Sequence, residues 1–271
     1  MSGERPIGVF DSGIGGLTVV QEIRRLMPGE SIIYVGDTAR APYGGKDAET
    51  LISHGREIIK FLISKDVKAV VMACGTSSST SYEILQKEFN ITIIDTIRPA
   101  VSELVRMAQL QKIKPVFTAT SATIKSGLFA RLFSEKCKDV ELVSRACPLF
   151  APMVEAGLST DNPLLQFAAD NYLSDLRGKV DTLVLGCTHY PLVQGALVRT
   201  LGEITFINPA TATAIATKDA ITPSRDKKAD IVYYTSGDTE SFSELARIVL
   251  KDYSLTCSKQ SRITSFIAGL K

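Results

Sequence analysis

Short runs rich in β-branched and apolar residues alternate with longer amphipathic stretches over almost the whole chain. Such alternation, with strands apolar on both faces, is typical of a mostly parallel sheet covered by helices on both sides. The pattern predicts strands at 6–10, 31–35, 69–73, 92–95, 116–120, 140–143, 181–186, 205–207 and 231–234. It predicts helices at 17–26, 49–64, 77–89, 98–109, 123–133, 148–157, 164–176, 193–201, 211–220 and 241–250.

This number of strands in 271 residues predicts an α/β protein with two open sheets. A single eight-stranded barrel is the less favoured alternative. No segment rich in Gly, Ser or Pro separates two halves, so the two parts are expected to be tightly joined.

Composition excludes several classes of protein. Lys and Arg number 31 and Asp and Glu 29, and this balance does not indicate a nucleic-acid partner. No apolar run is long enough to span a membrane, and the N-terminus lacks the apolar core of a signal peptide, so we expect a cytoplasmic protein. The five cysteines are then thiols, and with only two histidines no metal site is expected.

An internal repeat places two cysteines in matching positions. Residues 67–76 and 180–189 each contain a valine, a run of large apolar residues, one small residue and then a cysteine, Cys74 or Cys187. Each cysteine therefore follows a buried strand and precedes a helix, at the sheet edge where α/β proteins bind ligands. The N-terminus of a helix lowers the pKa of a thiol and favours anionic ligands.

Two thiols on opposite faces of one carbon are suited to stereoinversion: one removes a proton and the other supplies a proton to the far face. The alternatives for the two cysteines are that each is a small buried residue at a strand end or that they form a disulfide. The alternatives for the protein are a thiol hydrolase that uses Cys187 with His189, and a binding protein without catalysis. A hydrolase would leave the role of Cys74 unexplained. Cys187 and His189 are also only two positions apart on one turn, which is an unfavourable arrangement for a nucleophile and its base. Cys137, Cys147 and Cys257 lack the repeat's context and are predicted to be structural.

Polar residues near the predicted strand ends are further candidates. Asp11 either hydrogen-bonds the Cys74 thiol or forms a local Asx turn with the glycines that follow it. His189 is more consistent with function than with core packing, whereas His54 is predicted to lie on the surface. Residues 36–44 form a polar loop that can close over a ligand.

Several of these motifs resemble those of glutamate racemases, in the aspartate/glutamate racemase superfamily. The similarity is carried by residues 8–17, 36–40, 42–44, 73–74, 146–150, 154–157, 185–192 and 234–238, with Phe242 and Leu245. It implies two similar α/β lobes, residues 1–97 plus 211–271 and residues 98–210, each a mostly parallel sheet flanked by helices, with the active site in the cleft between them. It also implies a homodimer that supplies D-glutamate for peptidoglycan.

The resemblance further implies catalysis without a cofactor. Cys74 would take the α-proton of D-glutamate with help from Asp11, and Cys187 that of L-glutamate with help from His189 and Glu155. The residues expected to bind substrate are Asp11, Ser12, Pro42, Tyr43, Gly44, Gly75, Thr76, Thr188 and His189.

The chain departs from the family pattern at three places. Glutamate racemases usually have Cys-Asn-Thr where this chain has Gly75 after Cys74, so a side-chain contact to substrate is lost. Residues 116–120 only approximate the family's Gly-Thr strand end, and residues 208–210 replace an Asp-Ser-Gly-like loop. A racemase for aspartate or another small acid is therefore the alternative within the same superfamily.

Overall fold

The computed structural model describes residues 5–224, 229–250 and 263–265. The strands are β1 (Ile7–Asp11), β2 (Ile32–Gly36), β3 (Ala69–Met72), β4 (Thr92–Asp95), β5 (Pro115–Ala119), β6 (Val143–Ala146), β7 (Thr182–Leu185), β8 (Thr205–Ile207), β9 (Ile231–Thr235) and β10 (Ile263–Ser265). The helices are α1 (Leu17–Leu26), α2 (Ala48–Ser64), α3 (Gly75–Glu88), α4 (Ile97–Leu110), α5 (Ser121–Ser126), α6 (Leu128–Ser134), α7 (Phe150–Glu155), α8 (Pro163–Leu173), α9 (Gln194–Leu201), α10 (Pro209–Ala220) and α11 (Thr239–Leu250). Short 3₁₀ helices cover Thr38–Arg40, Tyr43–Gly45, Ser174–Leu176 and Tyr190–Val193.

The strands form two sheets, as predicted. One has the order β10-β9-β2-β1-β3-β4 and the other β6-β5-β7-β8, and every strand pair in the described part of the chain is parallel. Helices on both sides of a parallel sheet cover both of its faces, which explains why β1, β3 and β7 are buried throughout. The α/β fold class is confirmed. The lobe boundaries at 97/98 and 210/211 stay a prediction.

Buried side chains fill both faces of each sheet. One cluster, including Phe10, Val35 and Leu62, lies between the first sheet and α2. A second, including Phe117 and Phe129, lies between the second sheet and the helices α4 and α6. The largest cluster runs from the other face of the first sheet into the second lobe, so one continuous apolar region joins the lobes.

The prediction for β6 was wrong by three residues, because the strand covers 143–146 and not 140–143. Val140 and Leu142, whose apolar character suggested a strand, pack from a loop against the Phe117 cluster. The true strand lies at an edge of its sheet and carries polar residues, which edge strands tolerate.

The predicted helix at 123–133 is divided in two. Gly127 has φ +65°, a left-handed conformation that ends α5 before α6 begins.

Candidate active site

A cavity of about 250 Å³ lies at the carboxyl ends of β1, β3, β5 and β7, where the two sheets meet. Both cysteines of the repeat line it, Cys74 from the first sheet and Cys187 from the second. The other residues that line it are Ser12, Ala41, Pro42, Tyr43, Gly44, Gly45, Thr76, Thr120, Ser121, Pro148, Ala151, Pro152, Glu155, Thr188 and His189.

A larger depression, of about 520 Å³, lies between α4 and α10. Its arginines Arg98 and Arg106 are paired with carboxylates, Arg98 with Asp95 at 3.2 Å and Arg106 with Glu103 at 2.7 Å. It contains no cysteine, and the chemistry of the repeat therefore belongs to the smaller cavity.

Cys74 lies between the end of β3 and the start of α3, as the N-cap residue of α3. Its side chain is buried, and its Sγ lies 3.9 Å from the Ser12 hydroxyl oxygen, which in turn donates to Oδ1 of Asp11 at 3.4 Å. Burial, reinforced by the charge of Asp11, raises the pKa of the Cys74 thiol to about 12, although the backbone N–H of Ser77 acts in the opposite direction. Cys74 is therefore protonated before substrate arrives.

The carboxylate of Asp11 lies behind the cavity wall. Its Oδ1 accepts from the Gly13 backbone N–H at 3.0 Å, which is the predicted Asx-turn contact, and its Oδ2 accepts from the Thr188 hydroxyl at 3.1 Å. The structure does not form the alternative direct bond to Cys74 and links the two through Ser12 instead. Burial raises the pKa of Asp11, an effect that His189 and the Gly13 N–H oppose.

The side chains of Cys187, His189 and Glu155 contact one another in series. Its Sγ lies 3.6 Å from Nδ1 of His189, whose Nε2 lies 2.6 Å from Oε1 of Glu155. The same carboxylate oxygen accepts from the Ile14 backbone N–H at 3.0 Å, so Glu155, the last residue of α7, also holds the loop that follows β1.

The charge states of His189 and Glu155 follow from these contacts. Burial alone lowers the pKa of His189, but the hydrogen bonds to Cys187 and Glu155 outweigh burial and raise that pKa well above 6.5. Burial likewise opposes the ionisation of Glu155, yet His189 lowers its pKa below 4.5. At neutral pH the result is an imidazolium that lies between the Glu155 carboxylate and the Cys187 sulfur.

The two histidines are expected to give pH dependences of opposite sign. Because the folded-state pKa of His189 is raised, its contribution to stability is complete below pH 6.5 and is lost as the pH rises through the folded pKa. Burial and the Arg40 charge lower the pKa of His54, so its contribution is present above pH 6.5 and is lost as the pH falls. NMR titration of the two ring Cε1–H signals measures both values.

The variant His54→Gln assigns those signals, since one must disappear. We expect the remaining signal to titrate above 6.5. A remaining signal with a midpoint at or below 6.5 contradicts the proposed charge state of His189.

The predicted loop after β2 does cover the cavity, through Pro42, Tyr43 and Gly44. The Tyr43 ring is almost fully buried, and its hydroxyl donates to Oδ2 of Asp37 in a short hydrogen bond. Burial and the Asp37 carboxylate raise the pKa of Tyr43 far above its usual value of 10.0, so the hydroxyl stays protonated.

Gly75 does not line this cavity. It faces the second lobe, where a Cβ built on it would lie 2.6 Å from the carbonyl oxygen of Gly186. The predicted role of residue 75 in contacting substrate therefore has no support in this geometry, and what Gly75 provides is close approach of the two strand ends.

Sequence reasoning missed Thr120 and Ser121, which line the cavity after β5. The Thr120 hydroxyl lies 2.9 Å from those of Thr76 and Thr123, which forms a small hydroxyl cluster. The sequence signal that could have identified them is a Thr-Ser pair at the end of the predicted strand 116–120. In the structure this strand, β5, pairs with β7, the strand that precedes Cys187.

The structure also shows the surroundings of His54 and of two cysteines that were predicted to be structural. Cys147 directly follows β6 and is therefore also at a strand end, which the misplaced strand had concealed; it is fully buried and does not line the cavity. Cys137 is buried beyond α6, whereas Cys257 lies outside the described residues. His54 is half-buried, with its Nδ1 3.2 Å from Arg40 and its ring 5.5 Å from that of Tyr43.

Within residues 5–224 and 229–250, no group of three or more His, Cys, Asp or Glu side chains is arranged to hold a metal ion. In the same part of the chain, no helix combines the length and apolarity needed to cross a membrane.

Two facing α/β lobes with a cysteine from each at a shared cavity fit the class of amino-acid racemases suggested by the sequence. The chain belongs to the Asp/Glu/hydantoin racemase family, whose model matches residues 7–217, and it is an isomerase. It is 38% identical over 253 residues to a glutamate racemase of Desulforudis audaxviator, which covers 89% of this chain and 92% of that protein.

Solved structures agree with this assignment. Glutamate racemase isoform RacE1 from Bacillus anthracis has a TM-score of 0.88 and 32% identity, covering 98% of this chain and 99% of that one. Glutamate racemase from Francisella tularensis, in complex with D-glutamate, has a TM-score of 0.87 and 31% identity, covering 99% of both chains. The predicted resemblance to glutamate racemases is confirmed.

Proposed function

We propose that this protein interconverts L-glutamate and D-glutamate by a two-base proton transfer at Cα, with Cys74 and Cys187 as the bases and no cofactor. The observation that carries the proposal is that these two sulfurs, supplied by different sheets, line one cavity of about 250 Å³. The complex of the Francisella tularensis relative with D-glutamate supports the choice of substrate.

The two cysteines differ in a way that suits the reaction from L-glutamate. The Cys187 thiolate, hydrogen-bonded by the His189 imidazolium, takes the α-proton: the Cα–H bond breaks, an S–H bond forms and the electron pair stays on a near-planar carbanion. The Cys74 thiol, whose pKa is about 12, then gives its proton to the opposite face. The enzyme is left with a Cys74 thiolate and a Cys187 thiol, which is the state that reacts with D-glutamate.

The surrounding residues divide between assisting the thiols and holding substrate. Glu155 keeps His189 charged, and Asp11 acts on Cys74 through Ser12. Hydroxyl groups and the loop backbone at the cavity hold the carboxylates and ammonium of glutamate. The residues that supply them are Ser12, Pro42, Tyr43, Gly44, Thr76 and Thr188, together with Thr120 and Ser121.

The wider role follows from the product. We propose that the protein works as a homodimer in the cytoplasm and supplies D-glutamate for peptidoglycan in the cell wall. Its sequence resemblance to bacterial glutamate racemases supports this role.

The proposal is tested by incubating L-glutamate with the protein in heavy water and following circular dichroism together with the α-proton NMR signal. We expect the optical signal to decay to zero and deuterium to appear at Cα in the inverted product. Activity should persist after exhaustive dialysis against a chelator and without pyridoxal phosphate. Unchanged glutamate alongside inversion of aspartate would transfer the proposal to the superfamily alternative.

A thiol hydrolase is the second candidate, because the structure brings Cys187 within 3.6 Å of His189 although the two are close in sequence. Hydrolysis of an amide such as glutamine would release ammonia and leave the configuration at Cα unchanged. Ammonia release without inversion would therefore replace the racemase proposal.

A further inference from the structure

The loop that covers the cavity is organised around one buried carboxylate, that of Asp37 at the end of β2. Asp37 accepts from the Tyr43 hydroxyl and from Nε of Arg40 at 2.7 Å, both within the loop. Arg40 in turn reaches Glu57 on α2 at 2.7 Å. These contacts connect the Tyr43 ring, which lines the cavity, to the first sheet.

A third donor to Asp37 comes from a distant part of the chain. The Ser236 hydroxyl, in the turn between β9 and α11, donates to Oδ1 of Asp37 at 2.7 Å and accepts from the Ala39 backbone N–H at 3.0 Å. Next to it, the hydroxyl oxygens of Thr38 and Thr235 lie 2.6 Å apart. The turn after β9 therefore contacts both the carboxylate and the backbone of the cavity loop.

We propose that Ser236 is a positioning residue for substrate binding, which acts through Asp37 on the Tyr43–Gly45 segment of the cavity wall. This inference rests on the proposed racemase function. Ser236 does not line the cavity and lies beyond residue 217, where the match to the family model ends. Its hydroxyl joins the turn after β9 to Asp37 and Ala39, in the loop that covers the cavity.

The expected effect follows from what is removed. Ser236→Ala leaves the Ala39 N–H without its acceptor and Asp37 with one donor fewer, but it changes no group that touches the reacting carbon. Loss of one such hydrogen bond corresponds to about a fivefold change in an equilibrium constant. We therefore expect KM for L-glutamate and D-glutamate to rise by about fivefold, with kcat changed by less than about twofold.

The experiment uses the full chain and compares Ser236→Ala with Ser236→Thr and Ser243→Ala. Ser236→Thr keeps a hydroxyl and should restore KM. Ser243 lies on α11 and its hydroxyl donates to the Thr239 carbonyl at 2.6 Å, within the same helix, so Ser243→Ala should have the KM of the parent protein. Hydrogen exchange at the Ala39 amide should accelerate in Ser236→Ala and not in Ser243→Ala.

A KM for Ser236→Ala equal to that of Ser243→Ala, in a parent protein that racemises glutamate, overturns the positioning role. A loss of kcat or of folded protein at constant KM also overturns it, because that indicates a structural role alone. If Ser236→Ala does not fold, Thr38→Val tests the same junction and should raise KM. A parent protein without racemase activity refutes the proposed function instead, which separates the two failures.

Discussion

Cys74→Ala and Cys187→Ala are each expected to lower racemisation in both directions by about 10³-fold, the range in which a general acid or base contributes to a rate. In the proposed two-base reaction each turnover uses one sulfur as base and the other as acid, so both directions depend on both sulfurs. Initial rates from L-glutamate and from D-glutamate, followed by circular dichroism, measure the effect.

The two variants should differ in partial exchange of the α-proton with solvent. Cys187→Ala retains the base that faces D-glutamate, so any residual deuterium uptake should occur in D-glutamate without inversion. Cys74→Ala should show the reverse preference. Cys137→Ala is the matched control, because this buried thiol lies beyond α6 and away from the cavity. Full activity in either active-site variant would contradict the two-base proposal.

Much of the fold could be predicted because its signals are local and repetitive. Apolar strand-sized runs and amphipathic helices recur, and the small residue before each cysteine marks where a strand ends. The same reasoning failed at β6, since an edge strand with Ser144 and Arg145 lacks the apolar pattern of a buried one. That error also hid the strand-end position of Cys147.

At the site, residue types were predictable and their connections were not. The sequence suggested Asp11 as a partner of Cys74, but it held no information on the hydroxyl of Ser12 that lies between them. The bond from Glu155 to the Ile14 backbone joins residues 141 positions apart. Contacts of this range depend on how the two lobes pack, which no local pattern encodes.

Position 75 separates what the family resemblance predicts from what the structure predicts. By resemblance, Gly75→Asn should restore the missing substrate contact and improve binding. By structure, the first side-chain carbon already meets the Gly186 carbonyl oxygen at 2.6 Å, which is closer than Cβ atoms approach backbone oxygen. Because Gly75 and Gly186 directly adjoin Cys74 and Cys187, we expect relief of that contact to move the two sulfurs relative to each other.

We therefore expect Gly75→Ala and Gly75→Asn both to lower kcat/KM for glutamate, by about 100-fold, the cost of misplacing reacting groups by about 1 Å. Ser79→Ala on the same helix is the control, since the Ser79 hydroxyl donates to the Thr76 carbonyl within that helix. Its kcat/KM should stay within about twofold of that of the parent protein. Thermal unfolding of each variant shows whether the protein remains folded at the assay temperature. Gly75→Asn with a lower KM and an undiminished kcat would show that the strand ends can separate without cost, and that the space beside Gly186 does not set the distance between the sulfurs.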